Sequence, residues 1–98
     1  MIIHFAHSDL EECAEDVRKA IRRWGSIVGD KYPQRLTIIA SLPNFDAMYA
    51  YRLLRLHRLS GDRQETYAVT IHGRWRLILR KLSETEILVE EVSNHYGD

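Results

Sequence analysis

The stretch TYAVTIHGRWRLILRKL, residues 66–82, decides the fold because apolar and polar residues alternate on both sides of His72-Gly73. Alternation with a period of two is the pattern of a β-strand whose two faces differ in environment. Glycine accepts the positive φ that a tight hairpin turn needs. The stretch therefore predicts two antiparallel strands, 66–71 and 75–82, whose core-facing side chains are Tyr67, Val69, Ile71, Trp75, Leu77 and Leu79.

The same alternation places Arg76 and Arg80 together on the opposite face of the sheet. An antiparallel sheet commonly packs one face on a core and leaves the other open to water. We therefore expect Arg76 to be exposed and to contribute little to folding.

The hairpin lies among further strand patterns. Residues 54–59 alternate in the same way and are followed by a turn from Ser60 to Arg63, while 87–92 reads as the last strand. Residues 1–6 are short, apolar and partly β-branched, which predicts a first strand. Together these segments predict a mostly antiparallel sheet of four to five strands.

Helical patterns precede the sheet. Ser8 and Glu11 have the spacing of a capping box, and the helix they would begin ends at Gly25. Its apolar stripe follows offsets of three and four and consists of Leu10, Cys13, Ala14, Val17, Ala20, Ile21 and Trp24.

A second, shorter helix is predicted from Pro33, in its first turn, to Pro43, with Leu36, Ile39 and Ala40 facing inward. Residues 43–51 are assigned only as a connection with room for a helical turn. The predicted fold class is α+β, with two N-terminal helices packed on one face of the sheet.

Length and composition indicate one globular domain over residues 1–98, since 45% of the residues are hydrophobic and 29% are charged. The longest stretch without a charge, 36–45, is far shorter than the roughly 18 residues of a membrane span. The N-terminus lacks the pattern of a secretion signal, and the single Cys13 cannot form an internal disulfide. We expect a cytoplasmic protein that makes no contact with a membrane.

Charge is balanced overall, with 14 basic and 14 acidic residues, but unevenly distributed. Residues 51–80 carry seven arginines and two acids, whereas 81–98 carry one base and five acids. Arginine's planar fork suits bidentate contact with phosphate, so a polyanionic partner is one interpretation. A solvated sheet face balanced by the acidic last strand is the equally weighted alternative.

Two histidines and one arginine have types suited to RNA cleavage by the 2′-hydroxyl, which needs a base, an acid and a cation. His57, Arg76 and His95 are these candidates, although a strand histidine is more often structural. His4 and His7, three apart on a strand, point to opposite faces and do not predict a metal site. We expect neither a metal nor another cofactor.

Four segments of the second half carry a family resemblance: LHRLSGDR at 56–63, YAVTI at 67–71, HGRWRLI at 72–78 and VSNH at 92–95. They resemble the RelE/ParE toxin superfamily, and most closely its HigB-like killer proteins. Those proteins show a Leu-x-x-Leu-x-Gly-Asp-Arg turn, a Tyr-Ser-Ile-Arg-Ile strand, a Gln-Trp-Arg-Ile strand and a terminal Asp-Tyr-His. The detailed likeness covers residues 53–95, and the N-terminal half shares only the order of its elements.

The resemblance implies a RelE-like fold and the toxin of a type II toxin–antitoxin system, an endoribonuclease that cuts mRNA on the ribosome without a metal. His57 and His95 would transfer protons or align the substrate, and Arg76 would hold the scissile phosphate. The implied partners are the ribosome, its mRNA and a cognate antitoxin, expected to be a helix-turn-helix protein. Further substrate contacts are assigned to Arg63, Arg74, Arg80 and Tyr96.

Three departures from the family pattern keep two alternatives open. Ser60 replaces a common lysine, Thr70 replaces the strand arginine, and Asn94 replaces the aromatic residue before the terminal histidine. One alternative is a ParE-like toxin that binds DNA gyrase without cutting nucleic acid. The other is an inactivated relative that binds an antitoxin.

Overall fold

Within residues 1–61 and 65–95, which the computed structural model describes, four α-helices lie against one five-stranded mixed sheet. The order of strands across the sheet is β1-β5-β4-β3-β2; β1 pairs with β5 in parallel, and every other pair is antiparallel. The predicted α+β class is confirmed. In chain order the elements are β1 (Ile2–Phe5), α1 (Ser8–Glu15), α2 (Val17–Trp24), α3 (Ser26–Ser41), α4 (Asp46–Ala50), a 3₁₀ turn (Arg52–Leu54), β2 (His57–Arg58), β3 (Thr66–His72), β4 (Trp75–Ser83) and β5 (Glu86–Ser93).

The central hairpin forms as predicted. β3 and β4 pair from Thr66 opposite Arg80 to His72 opposite Trp75, and Gly73 turns the chain with a φ of +57°. The core-facing residues of both strands are buried against the helices, with Trp75 partly buried at the rim. Period-two alternation therefore identified the core face of the sheet.

The prediction of one helix from Ser8 to Gly25 is wrong, because the chain breaks at Asp16 into α1 and α2. Asp16 has extended backbone angles, and its carboxylate accepts a hydrogen bond from the Arg18 backbone N–H at 3.0 Å. This bond caps α2 and lowers the pKa of Asp16. The predicted capping box is also absent: the N-cap of α1 is His7, which makes no side-chain capping bond.

The predicted start of the second helix at Pro33 is also wrong, since α3 begins at Ser26 and carries Pro33 in its interior. Proline in a helix removes one backbone hydrogen bond, but tertiary packing offsets this loss. Tyr32 and Ile39 are fully buried, and the Tyr32 hydroxyl donates to the Leu10 carbonyl at 2.8 Å. The helical turn allowed for in 43–51 exists as α4.

The predicted strand 54–59 is reduced to the two residues of β2. Leu54 is fully buried at the end of the 3₁₀ turn, and Arg55 has a φ of +48° that turns the chain before pairing begins at His57. Anchoring Leu54 in the core therefore overrides its strand pattern. The predicted turn from Ser60 to Arg63 falls partly on residues 62–64, outside the described residues.

No helix in the described ranges 1–61 and 65–95 combines the length and the apolar character needed to cross a membrane.

Gly29 is the point of closest approach between α2 and α3. A Cβ atom at this position would lie 2.5 Å from the Ile21 backbone nitrogen and Cα, so a side chain would force the helices apart. We expect Gly29→Ala to lower the free energy of unfolding by about 2 kcal/mol, a typical cost of overpacking. Urea unfolding measures this loss. The exposed Gln34→Ala is the control on the same helix, and equal midpoints for the two variants would contradict the proposed close contact.

Candidate nucleic-acid interface

The sheet register brings two of the three predicted catalytic residues, His57 and Arg76, to one face. His57 pairs with Ala68, which pairs with Ile78, and in the neighbouring row Thr70 pairs with Arg76, which pairs with Ser93. Paired residues project to the same side, so His57 and Arg76 share the face opposite the helices, as predicted. From strand spacing and rise, their Cα atoms lie about 12 Å apart.

Arg76 is buried, and the prediction of an exposed side chain is wrong. Only 2% of Arg76 is accessible, and its Nη1 donates to the carbonyls of Gly73 at 2.6 Å and Trp75 at 3.1 Å. The face around Arg76 is itself covered, since Ile78 and Ser93 are also buried. Arg76 therefore fastens the β3–β4 turn from inside the protein.

His57 is half-buried, and its Nδ1 lies 3.2 Å from the Arg55 carbonyl oxygen. Because a carbonyl oxygen only accepts hydrogen bonds, Nδ1 carries the proton in this contact. A neutral imidazole with Nδ1 protonated has its lone pair on Nε2. Of the two neutral tautomers, the contact thus favours the one whose Nε2 can accept a proton.

A cavity of about 410 Å³ adjoins His57 and is lined by Tyr49, Arg52, Arg55, Leu56, His57 and Thr70. It lies where β2 falls short of β3. If β2 continued toward the N-terminus in the same register, Arg55 would pair with Thr70. The backbone instead turns away from β3 at Arg55, which has a positive φ. Thr70 consequently faces the cavity, and its buried hydroxyl has no hydrogen-bond partner among the described residues.

Arg35 closes the uncovered edge of β3. This side chain comes from α3, is 6% exposed, and donates from Nε to the Thr70 carbonyl at 3.2 Å and from Nη2 to the Ile71 carbonyl at 3.1 Å. Burial lowers the pKa of Arg35. Two hydrogen bonds from one rigid guanidinium hold the backbone of Thr70 in place beside the cavity.

The other predicted site residues are dispersed. Arg74 is exposed in the hairpin turn, and Arg80 is half-exposed and pairs with Glu90 of β5 at 3.1 Å. His95 is exposed two residues past the end of β5, with its backbone N–H bonded to the Ser93 hydroxyl at 3.0 Å. Arg63 and Tyr96 lie outside the described residues. The Arg80–Glu90 pair agrees with the interpretation of a face balanced by the acidic last strand.

A larger cavity of about 470 Å³ has the wrong charge for a polyanion. Its lining includes three carboxylates, Asp9, Glu90 and Glu91, and its Arg23 is already ion-paired with Asp9. Among the described residues, no three histidine, cysteine or acidic side chains are grouped so as to hold a metal ion. The cavity beside His57 is therefore the better candidate for an anionic ligand.

Sequence reasoning missed the contributions of Tyr49, Arg52, Arg55 and Thr70 to this cavity. A signal was present, since two tyrosines directly precede three closely spaced arginines in residues 49–58. The segment was nonetheless divided between a connection and a strand. Comparison of the chain with models of protein families and with curated proteins gave no match.

Proposed function

We propose that this chain is a cytoplasmic toxin of a type II toxin–antitoxin system, with a RelE-like fold, that cuts mRNA on the ribosome. The observation that carries the proposal is His57, whose Nε2 is free to accept a proton at the rim of a cavity containing two arginines. This arrangement suits a phosphodiester substrate, and it agrees with the sequence resemblance of residues 53–95.

The chemistry needs no metal. A base removes the proton of the RNA 2′-hydroxyl, the oxygen attacks phosphorus, and an acid protonates the departing 5′-oxygen. His57 acts as the base through Nε2. The family resemblance assigns the acid to His95, which lies beyond the end of β5 and does not line the cavity beside His57. Arg76 is a positioning residue in this scheme, because its Nη1 bonds fasten the turn between β3 and β4.

The cognate antitoxin, expected to be a helix-turn-helix protein, would neutralise this surface. Arg52, Arg55, Arg58 and Arg74 are exposed and offer positive charge to an acidic antitoxin segment. Covering them would block access of mRNA to His57 and would separate the toxin from the ribosome.

One observation favours a second candidate function. The residue expected to clamp the scissile phosphate, Arg76, is buried and bonded to backbone carbonyls. An inactivated relative that binds an antitoxin would tolerate such an arrangement. This candidate predicts an unchanged growth rate when the protein is produced alone.

We expect production of this chain alone to arrest growth by stopping translation. Incorporation of labelled methionine should fall before that of labelled thymidine, and mRNA fragments with 5′-hydroxyl ends should accumulate, because attack by the 2′-hydroxyl leaves that end. Sequencing of 5′-hydroxyl ends after induction measures the cuts. Early loss of DNA synthesis with intact mRNA would instead establish the gyrase-binding alternative.

A further inference from the structure

The cavity beside His57 contains two arginines from one tight turn. Arg52 begins the 3₁₀ turn and Arg55 caps its end. Both side chains line the cavity. Within residues 1–61 and 65–95, no carboxylate forms an ion pair with either arginine, whereas Arg18, Arg23 and Arg80 are all paired.

Thr70 supplies a polar group on the opposite wall. Its hydroxyl is buried and has no partner in the part of the chain that the structure describes, although its backbone is fixed by Arg35. A buried hydroxyl without a partner is costly, and a ligand oxygen in the cavity would satisfy it. The wall is therefore prepared for a hydrogen-bonding anion.

Tyr49 supplies an aromatic surface at the rim. Its side chain is 53% exposed, and its ring meets Phe45 edge-on, with centroids 6.0 Å apart. Bases of single-stranded RNA stack on exposed aromatic rings, whereas bases within a duplex are not available for such contacts. A volume of about 410 Å³ lies within the range of small-ligand pockets and has room for one nucleotide.

We propose that this cavity binds the nucleotide adjacent to the cut in single-stranded RNA. Arg52 and Arg55 hold its phosphodiester, the Thr70 hydroxyl bonds to one of its oxygens, and its base stacks on Tyr49. The inference deepens the proposed function and rests on it for the identity of the polymer. Because His57 lines the same cavity, a nucleotide seated there places the next phosphodiester against the proton acceptor.

Binding to an uncleavable 2′-O-methyl RNA tests the subsite apart from cleavage. For single strands, the logarithm of the affinity falls with the logarithm of salt by about 0.7 per neutralised phosphate. Because Arg52 and Arg55 share one phosphodiester, Arg52→Gln/Arg55→Gln should lower this slope by about 0.7. Tyr49→Leu should weaken binding about tenfold, a typical effect of losing one stacked base. Fluorescence anisotropy over a salt series measures both changes.

Arg18→Gln/Arg22→Gln is the matched control, because it removes two charges from exposed sites on α2. We expect it to keep the wild-type slope. Arg52→Lys/Arg55→Lys, which keeps both charges, should also keep most of the slope, and an unchanged circular dichroism spectrum verifies folding. Equal slopes for the glutamine variant and the wild type would overturn the subsite.

Two further outcomes separate this inference from the proposed function. Full cleavage of mRNA by Arg52→Gln/Arg55→Gln would overturn the subsite and leave the nuclease intact. Wild-type protein that binds the methylated RNA through these residues but cuts nothing in a translating extract would support the subsite and refute cleavage. Inorganic phosphate that competes fully, together with no effect of Tyr49→Leu, would overturn recognition of a nucleotide.

Discussion

Replacing Arg76 by alanine should destabilise this protein strongly and reduce RNA cleavage through the weakened fold. The guanidinium is buried, and its Nη1 is hydrogen-bonded to the carbonyls of Gly73 and Trp75. Alanine would leave a void and two carbonyls without this donor. We expect the free energy of unfolding to fall by about 3 kcal/mol, within the range for loss of a buried, bonded side chain. Urea unfolding at constant m-value measures the loss.

Arg80→Ala is the control for charge on the same strand and the same face. Arg80 is half-exposed and makes one ion pair with Glu90, so its removal should change stability by less than about 1 kcal/mol. Equal unfolding midpoints for Arg76→Ala and Arg80→Ala would contradict the structural role of Arg76. Arg76→Lys keeps the charge but not the planar fork, and we expect it to restore only part of the lost stability.

Arg76 shows what strand alternation can and cannot predict. Its face follows from period two, which depends only on the backbone of β4. Its neighbours on that face are buried as well, namely Ile78 and Ser93, which pairs with Arg76 from the other end of the chain. The exposure of a side chain depends on the tertiary structure around it. The pattern therefore predicted the face of Arg76 correctly and its exposure wrongly.

The helical half shows the same division between local and tertiary causes. The apolar stripe of the first pattern was correct in part: Leu10, Cys13 and Ala20 are buried, whereas Val17 is 40% exposed just after the break. The break at Asp16 was missed because the apolar pattern continues across it. An aspartate side chain can nevertheless accept a hydrogen bond from the backbone N–H two residues later, and this bond competes with a continuous helix. Pro33 led to the opposite error, because it was taken as the start of a helix. The helix α3 continues on both sides of Pro33, and the burial of Tyr32 and Ile39 stabilises it.

The candidate cavity was hidden by an ambiguity in residues 54–59. Alternating leucines fit a strand, yet Leu54 is buried at the end of a 3₁₀ turn and Arg55 takes a left-handed conformation that favours glycine. Nothing in a local pattern signals such a turn. The shortening of β2 to two residues is nonetheless what leaves Thr70 uncovered and opens the cavity beside His57.

His57→Gln should reduce mRNA cleavage by about 10² to 10⁴-fold, the usual contribution of a general base. Glutamine can donate to the Arg55 carbonyl in place of Nδ1 but cannot accept the proton of the 2′-hydroxyl at neutral pH. Because His57 is only half-buried, we expect stability to change by less than about 0.5 kcal/mol. Single-turnover cleavage of a programmed ribosome measures the rate, and urea unfolding measures the stability.

His72→Gln is the matched control, because His72 lies at the end of the next strand, is exposed, and contacts only Lys31 at 3.2 Å among the side-chain bonds of the described residues. It should cleave at the wild-type rate. A His57→Gln variant that is folded and equally active would exclude His57 as the base. If His57→Gln and His95→Gln both lose cleavage but still bind the antitoxin, the loss is chemical and does not result from unfolding. The same result would exclude the alternative of an inactivated relative, since an inactive protein has no cleavage to lose.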